Sequence, residues 1–261
     1  MRKTMLILER EIFSLKRSKI LLLLTFIILG FLYGLYLEAE NYKDYITGNP
    51  DLTLEYQTAL FTLAVGTSIF LPIGIGRVML SIVGATLLVK EFESNTMSTL
   101  GCLPIKRESI FLGKFLAITI VSLFVALFYG LGTWIICILT LGYPPFNLVF
   151  FTVLFIFVGC LYFASLSIFV SSFFKSSTPA ILLALGLTYL SGFFVFVYPA
   201  QITDREKWLP EYYIWALYNH LFFPEEIGSS TPSFYMSILV ILFVMLLLLA
   251  ISSIIFKSRD I

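Results

Sequence analysis

Charged residues are scarce in this sequence. Only 13% of its 261 residues are Asp, Glu, Lys or Arg, whereas 59% are hydrophobic, and the mean hydropathy is +0.97. Soluble domains carry about 25% charged residues, so this chain has too little polar surface to cover a water-soluble core. The composition predicts an all-α integral membrane protein. The formal net charge of +1 gives no reason to expect nucleic acid as a partner.

Motifs of common catalytic and cofactor sites are also lacking. The sequence contains no G-x-x-x-x-G-K-[ST], H-E-x-x-H or G-x-S-x-G, which argues against a P-loop ATPase, a zinc protease and an α/β-hydrolase. Cys102, Cys137 and Cys160 have no metal-site spacing and are interpreted as free thiols. His220 is the single histidine, which argues against a metal role. We therefore expect no catalytic residue, cofactor or resident metal.

Long apolar runs dominate instead. A helix needs about 20 apolar residues to cross a bilayer core of about 30 Å. The runs predict a single transmembrane domain over residues 1–261 with six spans, the second of them kinked near Pro72. The predicted spans are about 20–37, 60–89, 115–139, 146–170, 180–198 and 234–256.

The basic residues predict the orientation. With the N-terminus inside, 13 of the 17 Lys and Arg residues fall on the cytoplasmic side and three outside. Because cytoplasmic loops are enriched in Lys and Arg, we expect a multi-pass protein of the plasma membrane with both termini cytoplasmic. The remaining one, Arg77, lies within the second span. It is either a pathway residue facing protein or water, or it snorkels to a nearby interface.

Two segments outside the spans have patterns of their own. In residues 1–19, Met5, Leu8, Ile12 and Leu15 recur at helical spacing, which favours an amphipathic interfacial helix over a merely basic leader. Residues 201–233 contain EYYIWALYNHLFF, which is rich in aromatics and too short to span. We expect it to form an interfacial helix or a re-entrant hairpin at the outer side.

A third segment, residues 90–108, is the predicted cytoplasmic loop between the second and third spans. Asn95 and Thr96 are suitable N-cap residues. Met97 and Leu100 then share one face of a short helix parallel to the membrane, with Leu103 close by. An apolar patch facing the cytosol indicates a docking surface, although packing on the protein's own helices would also cover it.

The run from Lys90 to Lys114 resembles the signature of the ABC-2 family of ABC exporter permeases. In that family an acidic residue ends the second span, and a Gly-Thr-Leu-like step, a Pro-Ile-x-Arg turn and a Gly-Lys pair follow. Asn95 stands where the family has Gly. The matching residues are Glu91, Glu93, Thr96, Met97, Pro104, Ile105, Arg107, Gly113 and Lys114.

The resemblance implies a permease subunit that forms half of an export pathway, paired with a second copy or a sister permease. ATP would be bound and hydrolysed by a separate ABC ATPase subunit, on which the loop acts as a coupling helix. The residues implied in coupling are Glu91, Glu93, Asn95, Thr96, Met97, Leu100, Leu103 and Arg107. The 27 phenylalanines favour an amphipathic peptide, drug or lipid-like cargo. The alternatives are a membrane scaffold or sensor without transport, and an ion-coupled carrier using Arg77.

Overall fold

The structure, a computed structural model, is built of α-helices in the part of the chain that it describes. It describes residues 2–17, 19–48, 78, 80–93, 106–141, 146–196, 210–222 and 232–258, and within these ranges no residue lies in a β-strand. The expected all-α membrane fold is thus confirmed. The helices are α1 (Arg2–Arg17), α2 (Lys19–Gly48), α3 (80–93), α4 (Arg107–Leu141), α5 (Phe146–Ser171), α6 (Ser177–Phe196), α7 (Pro210–Phe222) and α8 (Phe234–Ser258).

Four helices are long and apolar enough to cross a membrane. They contain Leu22–Asn41, Arg107–Thr140, Phe146–Ser171 and Phe234–Ser258, and they correspond to the first, third, fourth and sixth predicted spans. The fifth predicted span corresponds to α6, which contributes a shorter apolar helix, Ser177–Leu190. Most of the second predicted span, residues 60–89, lies outside the described residues, and α3 is its described end.

The helices flanking the predicted loop extend further than the apolar runs. The loop was expected over 90–108, but α3 continues to residue 93 and α4 begins at Arg107 rather than near 115. The carbonyl oxygen of Lys106 accepts a bond from the backbone N–H of Ser109 at 2.9 Å, which starts the helix. Glu108 lies in the first turn, where a carboxylate is favourable because of the helix dipole. Polar residues thus extend both helices beyond the apolar runs.

α4 lies at the centre of the bundle. It packs against α1, α2, α5 and α8, and α5 in turn packs against α6 and α8. Hydroxyl groups within these helices bond back to their own turns: Thr133 Oγ1 donates to the carbonyl of Tyr129 at 3.0 Å, and Thr152 Oγ1 to that of Leu148 at 2.8 Å. These side chains therefore satisfy their polar groups inside an apolar helix.

Small residues bring α3, α5 and α6 close together. Ser167 Oγ donates to the carbonyl of Ser81 at 2.5 Å, and the hydroxyl oxygens of Ser81 and Thr188 are 3.3 Å apart. A Cβ on Gly84 would lie 3.0 Å from Cβ of Ser167. Small residues and interhelical hydrogen bonds are what holds helices together in lipid, where the surroundings are as apolar as the helices. α3 is thereby fixed against the two helices that follow α4.

The N-terminal segment is helical as expected, but the face that it buries is not the predicted apolar stripe. Ile7 and Glu11 are buried, whereas Met5 and Ile12 are exposed by 58% and 36%. The first two residues are buried because α1 packs on α4 at Gly113. Ile7 meets Gly113, and Glu11 pairs with the neighbouring Lys114. The exposed part of the stripe is therefore available to the membrane interface.

Candidate functional site

α1 approaches α4 at Gly113, within the Gly-Lys pair of the signature. A Cβ at this position would lie 2.7 Å from Cγ2 of Ile7 and 3.3 Å from the carbonyl oxygen of Thr4. The first distance is closer than atoms of real side chains come, so any larger residue here would push the two helices apart. Glycine at this position permits the contact, and the contact brings Glu11 of α1 alongside Lys114.

Four charged side chains meet at this point, and we call them the charged cluster: Arg10, Glu11, Glu91 and Lys114. The Nζ atom of Lys114 lies 3.1 Å from Oε1 of Glu11 and 3.0 Å from Oε1 of Glu91. It also donates to the backbone carbonyl of Leu87 at 2.6 Å. Nη2 of Arg10 lies 3.4 Å from Oε1 of Glu91. The cluster therefore joins α1, α3 and α4.

Burial makes this cluster sensitive to the loss of any member. Lys114 is 2% exposed, Glu91 6% and Glu11 8%, whereas half of the Arg10 side chain reaches solvent. Two positive and two negative charges give a formal sum of zero, so each buried charge is compensated locally. Removing one partner of a buried ion pair costs about 3–5 kcal/mol because the other charge remains desolvated.

Glu93, two residues further along α3, contacts the start of α6. Its Oε1 accepts from the backbone N–H of Ser177 at 2.5 Å, and the Ser177 hydroxyl lies 2.8 Å from both carboxylate oxygens. Ser176 adds a bond at 3.2 Å. The Ser177 backbone bond and then its hydroxyl bond lower the pKa of Glu93 from its ordinary value of 4.5. Glu93 thus caps a helix that begins 84 residues later in the chain.

Two residues at the start of α4 contact the end of α8. Nη1 of Arg107 donates to the carbonyl oxygen of Lys257 at 2.9 Å, one of the last carbonyls of that helix, which lack partners within it. The Nζ atom of Lys257 pairs with Oε1 of Glu108 at 3.0 Å. These exposed contacts hold the last helix to the beginning of α4.

The ends of several helices therefore converge at one end of the bundle. α3 ends there, α4 and α6 begin there, and α5 and α8 end there. The basic residues Arg10, Lys114 and Lys257 all lie at this end and were all predicted to share the cytoplasmic side. Their gathering agrees with the alternating path of a multi-pass chain.

At a distance from the charged cluster, α7 runs alongside α5 in the opposite direction. Glu211, at the start of α7, accepts a hydrogen bond from the hydroxyl of Tyr162 at 2.9 Å. The ring of Phe222, at the end of α7, lies 6.0 Å from that of Phe155. Glu211 is only 2% exposed, although the sequence places it in an outer connection. The start of α7 is therefore buried against α5.

His220, the lone histidine, has a structural contact in this segment. Its Nε2 atom lies 2.7 Å from the carbonyl oxygen of Pro232, just before α8. Among the described residues no group of three or more His, Cys, Asp or Glu side chains could hold a metal ion. The imidazole therefore ties the end of α7 to the start of α8.

A family model described as "ABC-2 family transporter protein" matches residues 5–211, which is well over half of the chain. The chain belongs to the ABC-2 transporter family. The resemblance seen in the Lys90–Lys114 signature is thus confirmed. A search of curated proteins finds no match.

As an ABC-2 protein, the chain is a membrane transport component and is not itself catalytic. The structure describes three of the residues that the signature implied in coupling. Glu91 belongs to the charged cluster, Glu93 contacts α6, and Arg107 contacts α8. The other predicted site residues lie outside the described residues: Arg77, Asn95, Thr96, Met97, Leu100 and Leu103.

Sequence reasoning missed the partners within the charged cluster of this ABC-2 protein. The sequence predicts no contact for Arg10 or Glu11 of the N-terminal segment, and it places Lys114 only in the signature. One signal was available: Lys114 is followed by a long apolar run and lies a full two turns inside α4. A lysine in that position needs an acidic partner, and Glu11 of α1 and Glu91 of α3 both supply one.

Proposed function

We propose that this ABC-2 protein is the permease subunit of an ATP-driven exporter, and that residues 94–105 dock on a separate ABC ATPase subunit. The permease forms half of the pathway and pairs with a second copy or a sister permease. ATP is bound by the ATPase, and this chain needs no cofactor. The docking residues of the proposal are Asn95, Thr96, Met97, Leu100 and Leu103, flanked by Glu91, Glu93 and Arg107.

The observation that carries the proposal is how firmly both flanks of this segment are attached. On the α3 side, Glu91 binds Lys114 and Arg10, and Glu93 binds Ser177. On the α4 side, Arg107 and its neighbour bind the end of α8. The two helices that enter and leave the segment are therefore linked to each other and to α1, α6 and α8.

Such links suit a segment on which another protein exerts force. When the ATPase closes on ATP, a displacement of residues 94–105 moves the ends of α3 and α4 together, because Lys114 bonds to Glu91 and to Leu87. α1 follows through Glu11, and α6 through the cap at Glu93. A loop without these contacts would absorb the same displacement by its own deformation.

The remaining parts of the proposal follow from charge and packing. The end of the bundle that carries the charged cluster lies on the cytoplasmic side of the plasma membrane. Both termini are therefore cytoplasmic. α7 is a re-entrant helix on the outer side, held by the bond between Tyr162 and Glu211. Arg77 is kept as a candidate pathway residue. The cargo is an amphipathic peptide, drug or lipid-like molecule, in line with the aromatic spans and α7.

The test is to tag the chain, extract it gently, and measure what co-purifies and whether it hydrolyses ATP. We expect a P-loop ATPase in about equal amount. Replacing Met97 or Leu100 by Asp is expected to release the ATPase, or to leave ATP hydrolysis uncoupled from transport, because a desolvated carboxylate cannot pack in an apolar groove. Both variants should still insert and fold.

A matched control is Phe173→Asp. Phe173 is 55% exposed in the short turn between α5 and α6, at the same end of the bundle, so it receives the same change outside the proposed docking segment. Equal ATPase association and equally coupled ATP hydrolysis and transport in all three variants and the wild type would contradict the docking proposal. An intact chain without an ATPase would favour the scaffold, and gradient-driven transport without ATP would favour the ion-coupled carrier.

A further inference from the structure

An apolar groove lies between α1, α2 and α4. Its volume is about 510 Å³, within the range of about 300–1,000 Å³ that small-molecule sites occupy. Ile12 and Leu15 of α1 form one wall, and Ile120 and Phe124 of α4 form another. Thr25 of α2 adds a hydroxyl to an otherwise apolar lining. The groove therefore suits a hydrocarbon chain rather than a polar solute.

The third wall gives the groove a direction. It is formed by Leu22, Phe26 and Leu29, spaced at i, i+4 and i+7, so these side chains share one face of α2. Leu22 and Phe26 are 62% and 65% exposed, and both belong to a candidate membrane span. The groove thus opens toward the lipid and extends about 10 Å along α2, at 1.5 Å per residue.

A cation continues the same helix face beyond the groove. Lys19 precedes Leu22 by three residues, so it lies one turn below the lining stripe, at the first residue of α2. It is exposed. Lys19 therefore lies near the end of the groove that is closest to the start of α2. If the acyl chain of a lipid occupied the groove, its headgroup would lie at this end. Apolar length followed by a positive charge matches an anionic phospholipid.

We propose that this groove binds one acyl chain of an anionic phospholipid, with the headgroup phosphate on Lys19. The lipid would contact α1, α2 and α4 at once. It would therefore hold α1 against the bundle from the side that faces the membrane. α1 is also the helix that the charged cluster fastens to α3 and α4. The site thus links the lipid composition of the membrane to the position of α1. This inference requires membrane insertion but not the proposed ATPase.

The test is native mass spectrometry of the purified, delipidated full chain, titrated with phosphatidylglycerol or phosphatidylcholine of identical acyl chains. The wild type is expected to retain one phosphatidylglycerol in preference to phosphatidylcholine. Lys19→Gln should lower this preference about five-fold, the effect of one cation near an anionic lipid. Lys43→Gln removes the same charge near the other end of α2 and should leave the preference unchanged.

A second pair of variants tests the groove itself. Ile120→Trp fills it and should weaken the binding of both lipids. Leu127→Trp places the same residue two turns further along α4, at a site that is also exposed but outside the lining, and should leave binding intact. Equal preference in Lys19→Gln and Lys43→Gln would overturn the headgroup assignment. Undiminished binding in Ile120→Trp, or a crosslink between two copies through Ile120→Cys, would overturn the acyl-chain assignment.

Discussion

The charged cluster gives the sharpest prediction for this permease. Lys114→Met keeps the length of the side chain but removes its charge, leaving Glu11 and Glu91 with Arg10 as the remaining cation. The cluster then carries a formal charge of −1 in a site where Lys114 itself is 2% exposed. We expect a loss of about 3–5 kcal/mol in the free energy of unfolding, the usual cost of breaking a buried pair.

Restoring the charge balance should recover much of this loss. In the double variant Lys114→Met, Glu11→Gln, the remaining charges are those of Arg10 and Glu91, which are paired in the native protein at 3.4 Å. The double variant should therefore be more stable than Lys114→Met alone, although it contains one more substitution. Such non-additivity is expected of residues in one ion-pair network.

Thermal unfolding in detergent measures the effect, with a thiol-reactive dye as the reporter. Cys137 and Cys160 are buried, at 0% and 4% exposed, so they react only when the bundle opens, and Cys102→Ser removes the third thiol. At about 2–4 °C per kcal/mol for a chain of roughly this size, Lys114→Met should lower Tm by about 6–20 °C. An unchanged Tm, or a double variant less stable than the single one, would refute the reasoning.

Two further predictions concern the contacts around the cluster. Gly113→Leu should displace α1, because a Cβ at this position already meets Ile7 at 2.7 Å, and it should lower the free energy of unfolding by about 1–3 kcal/mol. Proteolysis within α1 measures the displacement. Gly30→Leu is the control, since the space around a Cβ at Gly30 is open. The pKa of Glu93 is lowered by Ser177, so the cap stabilises the fold above the ordinary pKa of 4.5 and is lost as the pH falls through the lowered value. Glu93→Gln should remove this part of the acid dependence of Tm, and an identical pH profile would contradict it.

Much of the fold could be predicted from the sequence, because lipid imposes simple demands on a chain. Every apolar run long enough to span must be helical, and four of the predicted spans are helices of spanning length and composition. The signature could be recognised because its residues follow one another along the chain. In the structure Gly113 permits the approach of α1, and Lys114 bonds to it. Helix bounds were less predictable. Both α2 and α4 extend into polar sequence, where hydropathy gives no sign that a helix continues.

What the sequence by itself determined is the helical membrane class, the position of four spans and the family resemblance, since all three depend on residues near each other in the chain. Only the tertiary structure decided which charges meet. The bond between Lys114 and Glu11 joins residues 103 apart, and that between Tyr162 and Glu211 joins residues 49 apart. Periodicity shows that a residue lies on a helix face but not which helix it meets. The buried partners follow from the close packing of α1, α4 and α7 against their neighbours, which no local pattern encodes.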